Sequence, residues 1–321
     1  MNELKKILKK QGGLHLIKNY IKSGAFFTAC IVFLLLGKKK KALEILRLSA
    51  NFKLKNKLER IYRKDLLKFD EEYLKREKEL SHVSSNKIWI CWLQGMENAP
   101  YVVKICYNSL KQNLKDKEII VLTKDNIEQY ISFPDYILEK WKKGIITNTH
   151  FTDLLRLELL IKYGGLWVDA TVLCTNNNIP YYFFESDLFF FQNLKPGLDG
   201  HSTVISSWII SAKTNNKVLL ATRHLCYEYW KKNNYLIDYF LLHYFMTMVL
   251  EKYKEEWKKV IPFSNSTPHI LLLRLFDKFD ENIWNAAKEQ TPFHKLTYKF
   301  EKEKETLNDT YYKKIVEEFR L

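Results

Sequence analysis

Asp153, Arg156 and Asp169 are the charged side chains that stand out in the apolar stretch HFTDLLRLELLIKYGGLWVDAT (150–171). A carboxylate and a guanidinium three residues apart on a helix share a face. Asp153 and Arg156 therefore form either an ordinary pair near a helix start, favoured by the helix dipole, or two polar groups offered to a ligand. Gly164-Gly165 ends that helix, since glycine readily takes the left-handed backbone of a C-cap and permits close backbone approach. Asp169 follows directly on Leu166-Trp167-Val168, where an unpaired carboxylate would be costly to bury. It must pair with a cation, bind a metal, cap a turn or reach a wet cleft.

The flanking segments predict the elements that hold these groups. KIWICWLQG (87–95) reads as a buried strand ending at Gly95, and EIIVLT (118–123) as another. Helices are expected at 99–114, with Pro100 in the first turn, at 134–144, and at about 151–163. A strand at 166–169 follows, then strands at 187–193 and 202–212, and long helices at about 215–232 and 236–253. Almost continuously apolar strands separated by helices predict an α/β fold with a mainly parallel sheet covered on both faces. Such sheets bind ligands at the carboxyl ends of their strands. That rule selects Trp92-Leu93-Gln94-Gly95 and Asp169-Ala170-Thr171.

The charge is uneven along the chain. Of the net +15, residues 1–64 carry about +14, from 17 Lys/Arg against 3 Asp/Glu, which leaves about +1 for residues 65–321. Five scattered cysteines with no C-x-x-C pair suit a reducing compartment and argue against a zinc knuckle. Within the basic arm, AFFTACIVFLLL (25–36) lies between Lys18 and Lys22 on one side and GKKKKALEILR (37–47) on the other. Its twelve residues fall short of the roughly 20 that a membrane-spanning helix needs. A signal peptide is disfavoured because four lysines, and no small-residue cleavage site, follow. The expected state is a short helix on an anionic membrane surface; the competing one is a buried helix with a solvated basic neighbour. Nucleic-acid binding is not expected, because the aromatics lie in the neutral part and do not alternate with the basic residues. From Lys38 to Leu80, apolar residues three and four apart predict an amphipathic helix or helical hairpin. The polar break SHVSSN (81–86) then divides a helical basic arm, 1–84, from a second domain, 85–321.

The order Asp153, Arg156, Tyr163-Gly164-Gly165, Asp169 resembles the DXD-type region of family 32 glycosyltransferases and the glucosylating clostridial toxins. WICWLQGMENAPYVVKICYNSL (89–110), HFTDLLRLELLIKYGGLWVDATVLC (150–174) and PFHKLTYK (292–299) together resemble bacterial capsular polysaccharide synthesis glycosyltransferases. The resemblance covers roughly residues 85–300 and implies a GT-A-type nucleotide-sugar transferase fold. Trp92, Leu93, Gln94 and Gly95 would hold the nucleotide of a UDP-sugar. Asp153 and Arg156 would meet the donor sugar and diphosphate, with Gly165, Ala170 and Thr171 beside them. Asp169 matches the first DXD aspartate, which touches the ribose and a divalent cation, Mn²⁺ or Mg²⁺. The second aspartate is Thr171 here, a poor ligand for a hard cation. Asp-Ala-Thr is usual in the capsular group, so the resemblance implies altered coordination. His294 is the candidate for closing the site over the diphosphate or metal, against an ordinary surface histidine, with Lys295 neutralising charge.

Breaking a sugar–phosphate bond builds positive character on the sugar and negative charge on the departing diphosphate, and cations aimed at that oxygen stabilise the transition state. Arg156, a metal on Asp169, and Lys295 or Lys299 are the candidates. The relatives imply retention of anomeric configuration, with the departing phosphate taking the acceptor's proton. Asp238 and His243 are either a helix-start aspartate and a core histidine or acceptor-side groups; His150 is expected to neighbour a helix cap. The resulting expectation is a cytoplasmic transferase peripheral to the inner face of the cell membrane. It would move a hexose from a UDP-sugar to a lipid-diphosphate-linked oligosaccharide in capsule or exopolysaccharide assembly. The alternative is a non-catalytic sugar-nucleotide-binding scaffold.

Overall fold

The computed structural model describes residues 13–194 and 202–320; residues 1–12 of the expected arm lie outside the described residues. Helices α1 (Gly13–Ser23) and α2 (Phe26–Leu36) precede α3 (Lys40–Arg76), a single helix of 37 residues where a hairpin was the other expectation. Buried positions recur along α3 at Leu46, Ala50, Leu54, Leu58, Tyr62, Leu66, Phe69 and Tyr73, almost every fourth residue. That spacing lays one stripe along the helix, and from Leu54 to Tyr73 it joins the main core. Each fully buried apolar side chain contributes on the order of 1.5–3 kcal/mol, which holds this long helix against the domain. Lys232 with Asp65 (2.8 Å) and Lys252 with Asp70 pin its outer edge.

After α3 come β1 (Lys87–Cys91), α4 (Tyr101–Asn113), β2 (Glu118–Leu122), α5 (Asp135–Lys142) and α6 (Asn148–Tyr163). β3 (Gly165–Val168), β4 (Val172–Cys174), β5 (Leu188–Gln192) and β6 (Ile205–Ala212) follow. The chain continues through α7 (Lys217–Lys232), α8 (Leu241–Lys252), α9 (Glu281–Gln290), β7 (Phe293–Lys295) and α10 (Tyr311–Phe319). The five-stranded sheet has the order β2-β1-β3-β6-β5. β2, β1 and β3 are parallel, β6 runs against β3, and β5 runs against β6, so four of the five strands point one way. β4 and β7 form a separate antiparallel ribbon that the sequence did not announce.

Both faces of the central sheet are covered. Trp89, Trp167, Phe190 and Ile210 pack into the layer containing α3 and α6–α8, whereas Ile88, Leu166, Phe189 and Ile209, one residue earlier in each case, pack into the opposite layer. The strand period of two thus explains why these strands read as unbroken apolar runs. Among the described residues, no helix is long and apolar enough to cross a membrane. Much of α2 remains uncovered: Ala25 and Ala29 are buried, while Phe27, Ile31, Leu34 and Leu35 are exposed.

Candidate active site

The carboxyl ends of β1 and β3 open into a cleft of about 540 Å³. Its geometry begins with α6. Thr147 caps the helix, its hydroxyl accepting from the His150 backbone N–H at 3.2 Å. Gly164, with φ +66°, ends it, and its carbonyl accepts from Trp89 Nε1 at 2.9 Å. Gly165 has φ +94°, and a Cβ there would lie 2.4 Å from the Lys87 carbonyl oxygen. Only glycine lets β3 reverse out of α6 and settle this close to β1. Gly165 therefore acts through chain packing. The reversal brings the first half of α6 beside the end of β3.

Asp153 and Arg156, whose side chains are almost wholly buried, pair at 3.0 Å between Oδ1 and Nη1. Nη1 also donates to the Ser207 carbonyl at 2.8 Å, and Nη2 reaches Asp169 Oδ1 at 3.4 Å. The guanidinium lies 4.9 Å from the Trp167 ring centre, and the same indole donates from Nε1 to Asp169 Oδ1 at 3.1 Å. From the other side Lys295 Nζ donates to Asp169 Oδ2 at 2.8 Å and to Thr171 Oγ1 at 2.7 Å. The result is an alternating chain, Asp153–Arg156–Asp169–Lys295, that ends on Thr171. Burial by itself would raise the pKa of Asp169. Lys295 and Arg156, with hydrogen bonds from Lys295 and Trp167, outweigh it and hold the carboxyl below its ordinary value.

The cleft also receives Trp92, Leu93 and Gln94 from the turn after β1, together with Ala170, Tyr298 and Lys299. Trp92 and Tyr298 meet edge to face at 5.5 Å, and the buried Trp92 Nε1 has no hydrogen-bond partner. His243 enters from α8 and Tyr239 from the loop before it. Burial pulls the His243 pKa down to about 4, with Asp153 pulling the other way, so the ring is neutral near pH 7. Its Nδ1 also has no partner.

Other expected site residues lie elsewhere. Gly95, with φ +84°, turns the chain behind the cleft wall, and a Cβ there would strike the Glu97 carboxylate at 1.9 Å. His294 neighbours Lys295 on β7 but faces the opposite way. It is fully buried, its Nε2 is 3.1 Å from Thr175 Oγ1, and burial lowers its pKa to about 3. Asp238 turns toward α1 and α3, where it lies with Tyr20 and Leu54. Its Oδ1 accepts from the Phe240 N–H at 2.8 Å, and burial raises its pKa. His150 is also buried, 3.4 Å from Asp153 and against Trp230, so it backs the pair from the core side. Tyr239 and the Ser207 carbonyl were not anticipated. Tyr239 stood beside Asp238 in an aromatic run, whereas no sequence signal marks a backbone carbonyl.

The donor set does not fit a divalent cation held by the protein. Asp169 is the one carboxylate at the DXD-like position; both its oxygens are engaged, and Thr171 Oγ1 accepts from Lys295. Among the described residues no three His, Cys, Asp or Glu side chains come together as a metal site.

Residues 37–315 match the family described as capsular polysaccharide synthesis protein, and the chain belongs to that family. Over 96 residues it is 29% identical to "O-glycosyltransferase braB" of Annulohypoxylon truncatum. That alignment covers 27% of this chain and 23% of the relative, so the chain spans about a quarter of the curated protein it matches. A solved structure titled "PaToxG Glycosyltransferase" aligns over 80% of this chain and 95% of its own, with 15% identity and a TM-score of 0.36.

Proposed function

We propose that the chain is a glycosyltransferase that moves a hexose from a UDP-sugar to a lipid-diphosphate-linked saccharide, with retention of configuration, in capsule assembly. The observation that carries this reading is the Asp153–Arg156–Asp169–Lys295 chain of alternating charge in the cleft at the carboxyl ends of β1 and β3. In the reaction, the acceptor oxygen bonds to the anomeric carbon as the bond from that carbon to the β-phosphate oxygen breaks. The departing oxygen keeps the electron pair, and the acceptor's proton passes to the diphosphate. Lys295 and Arg156 stabilise the charge that develops there. Among the described residues, the carboxylates lining the cleft are Asp153 and Asp169, both paired with cations. Neither is free to serve as a general base, which favours proton transfer to the departing phosphate and hence retention.

The lipid-linked acceptor is supported by α2. Its exposed Phe27, Ile31, Leu34 and Leu35 form an apolar surface that the basic run Lys38–Lys41 follows directly, and Ile45 and Phe52 are exposed on α3, which packs against α2. Such a surface suits the anionic face of a bilayer, where a lipid-tethered acceptor resides.

The test is UDP release from purified protein offered a panel of UDP-sugars, with Asp169→Asn as control and the anomeric configuration of the product read by NMR. Slow hydrolysis of one donor that is lost in the variant is expected. UDP binding with no turnover of any donor, even with lipid-linked acceptor present, would favour the scaffold alternative.

A further inference from the structure

The Lys295 ammonium lies 2.8 Å from the Asp169 carboxylate and 2.7 Å from the Thr171 hydroxyl, between the two side chains that occupy the first and third positions of Asp-Ala-Thr. We propose that Lys295 is a built-in substitute for a divalent cation, binding the donor diphosphate directly, so that this site takes a nucleoside diphosphate without added metal; the inference rests on the nucleotide-sugar reading above.

Three features converge on it. The first is valence. An ammonium has three N–H donors, and Asp169 and Thr171 accept two of them. Lys295 is partly exposed in the cleft, so its remaining donor is available to a phosphate oxygen. The second is local charge. Asp153 is balanced by Arg156 and Asp169 by Lys295, which leaves no net negative charge to draw in a divalent ion. An added cation would have to displace Lys295 from Asp169 and would then lie beside a like charge. The third is the hydroxyl at 171. A second carboxylate would attract metal, whereas Thr171 accepts from the ammonium and fixes its direction. Lys299 lines the same cleft and adds positive charge beside the diphosphate path.

During transfer Lys295 remains protonated. It donates a hydrogen bond to the phosphate oxygen that receives the electron pair of the breaking bond, and no proton leaves the lysine. An ammonium thus performs the charge stabilisation that a metal ion performs at a two-carboxylate site.

Calorimetric titration of the full chain with UDP, in EDTA and again with Mn²⁺ or Mg²⁺, tests this directly. Electron paramagnetic resonance of free Mn²⁺ would follow metal uptake in parallel. Affinity in EDTA is expected to match that with metal within about twofold. Lys295→Met should weaken UDP binding roughly tenfold to hundredfold in EDTA, as expected for a lost charge-assisted hydrogen bond, and Lys295→Arg should retain most of it. The double variant Thr171→Asp/Lys295→Met restores the second carboxylate and is expected to take up Mn²⁺ and regain UDP affinity only with it. Near-ultraviolet circular dichroism would confirm that each variant is folded. UDP binding by the unaltered chain that vanishes in EDTA would overturn the inference and leave the transferase reading standing. An unchanged affinity in folded Lys295→Met would do the same. Failure of the unaltered chain to bind UDP in any of these media would remove both.

Discussion

Arg156 and Asp169, thirteen positions apart, meet at 3.4 Å because the Gly164-Gly165 reversal folds the end of β3 back beside α6. Arg156 is simultaneously the partner of Asp153 and a donor to the Ser207 carbonyl, so one guanidinium ties α6, β3 and β6 together. Its two terminal nitrogens reach three partners in fixed directions, which a lysine's single ammonium on a flexible stem does not reproduce.

Removing that guanidinium is therefore expected to affect stability as well as chemistry. Arg156→Ala leaves the buried Asp153 without its cation, a change that costs about 3–5 kcal/mol at buried pairs. Arg156→Lys should keep the fold but lose transferase activity on the order of 100-fold, since the leaving diphosphate loses an oriented donor. Denaturant midpoints and initial rates of UDP release would separate the two effects. Wild-type stability in Arg156→Ala would show that the pair is not structurally coupled.

Gly165 carries a sharper structural expectation. A methyl there would lie 2.4 Å from the Lys87 carbonyl, on a backbone with φ +94°. Gly165→Ala should cost at least about 1–3 kcal/mol, the strain of one such residue, and drive β3 from β1. Gly144 is the internal control: its φ is +71°, but nothing lies within 4 Å of a Cβ there. Gly144→Ala should cost only about 1 kcal/mol. Equal midpoint shifts for the two variants would refute the close-approach explanation.

The acid limb of stability supplies a third check. Asp169 has a folded-state pKa below its ordinary value, so its ionised form is favoured by folding. Its stabilisation is fully present above the unfolded carboxyl value, about 3.9, and is lost as pH falls through the lower folded value. Thermal melts of Asp169→Asn should thus fall less steeply than wild type below about pH 4. Parallel acid limbs would show that Lys295 and Arg156 do not hold that carboxylate ionised.

How far the sequence was legible follows from what each signal encodes. Asp153, Arg156 and Asp169 were readable because a helix of known period, a glycine pair and a short strand leave little freedom in where they meet. The apolar strands were readable too, but not their direction: Ile205–Ala212 is buried at every position, as a parallel strand would be, and yet runs antiparallel to β3. His294 and Lys295 show the limit most clearly. On a three-residue strand the two must face opposite ways, and nothing in PFHKLTYK indicates which of them faces the cleft. The register of β7 against β4 decides it, pairing Leu173 with His294 and Val172 with Lys295. The basic arm was legible as charge and as a helix. That α3 continues as one rod into the core required tertiary packing to reveal, because its surface is almost as polar as a detached helix would be.

That continuity determines how membrane association should be tested. Removing residues 1–64 would strip Leu54, Leu58 and Tyr62 from the main core, so loss of binding would report unfolding as readily as lost contact with lipid. Replacing the exposed Phe27, Leu34 and Leu35 by serine leaves that core untouched. If α2 lies on the bilayer, the triple variant should bind anionic vesicles at least about tenfold more weakly, since each apolar side chain withdrawn from water contributes on the order of 1.5–3 kcal/mol. Its melting temperature should stay near that of the unaltered chain, because these side chains are exposed in the folded protein. Vesicles of neutral lipid should bind the unaltered chain less well than anionic ones, and salt should narrow the difference, as Lys38–Lys41 directly follow α2. Vesicle binding by the triple variant equal to that of the unaltered chain would exclude α2 as the contact. A parallel loss of melting temperature would instead assign those residues to packing within the fold.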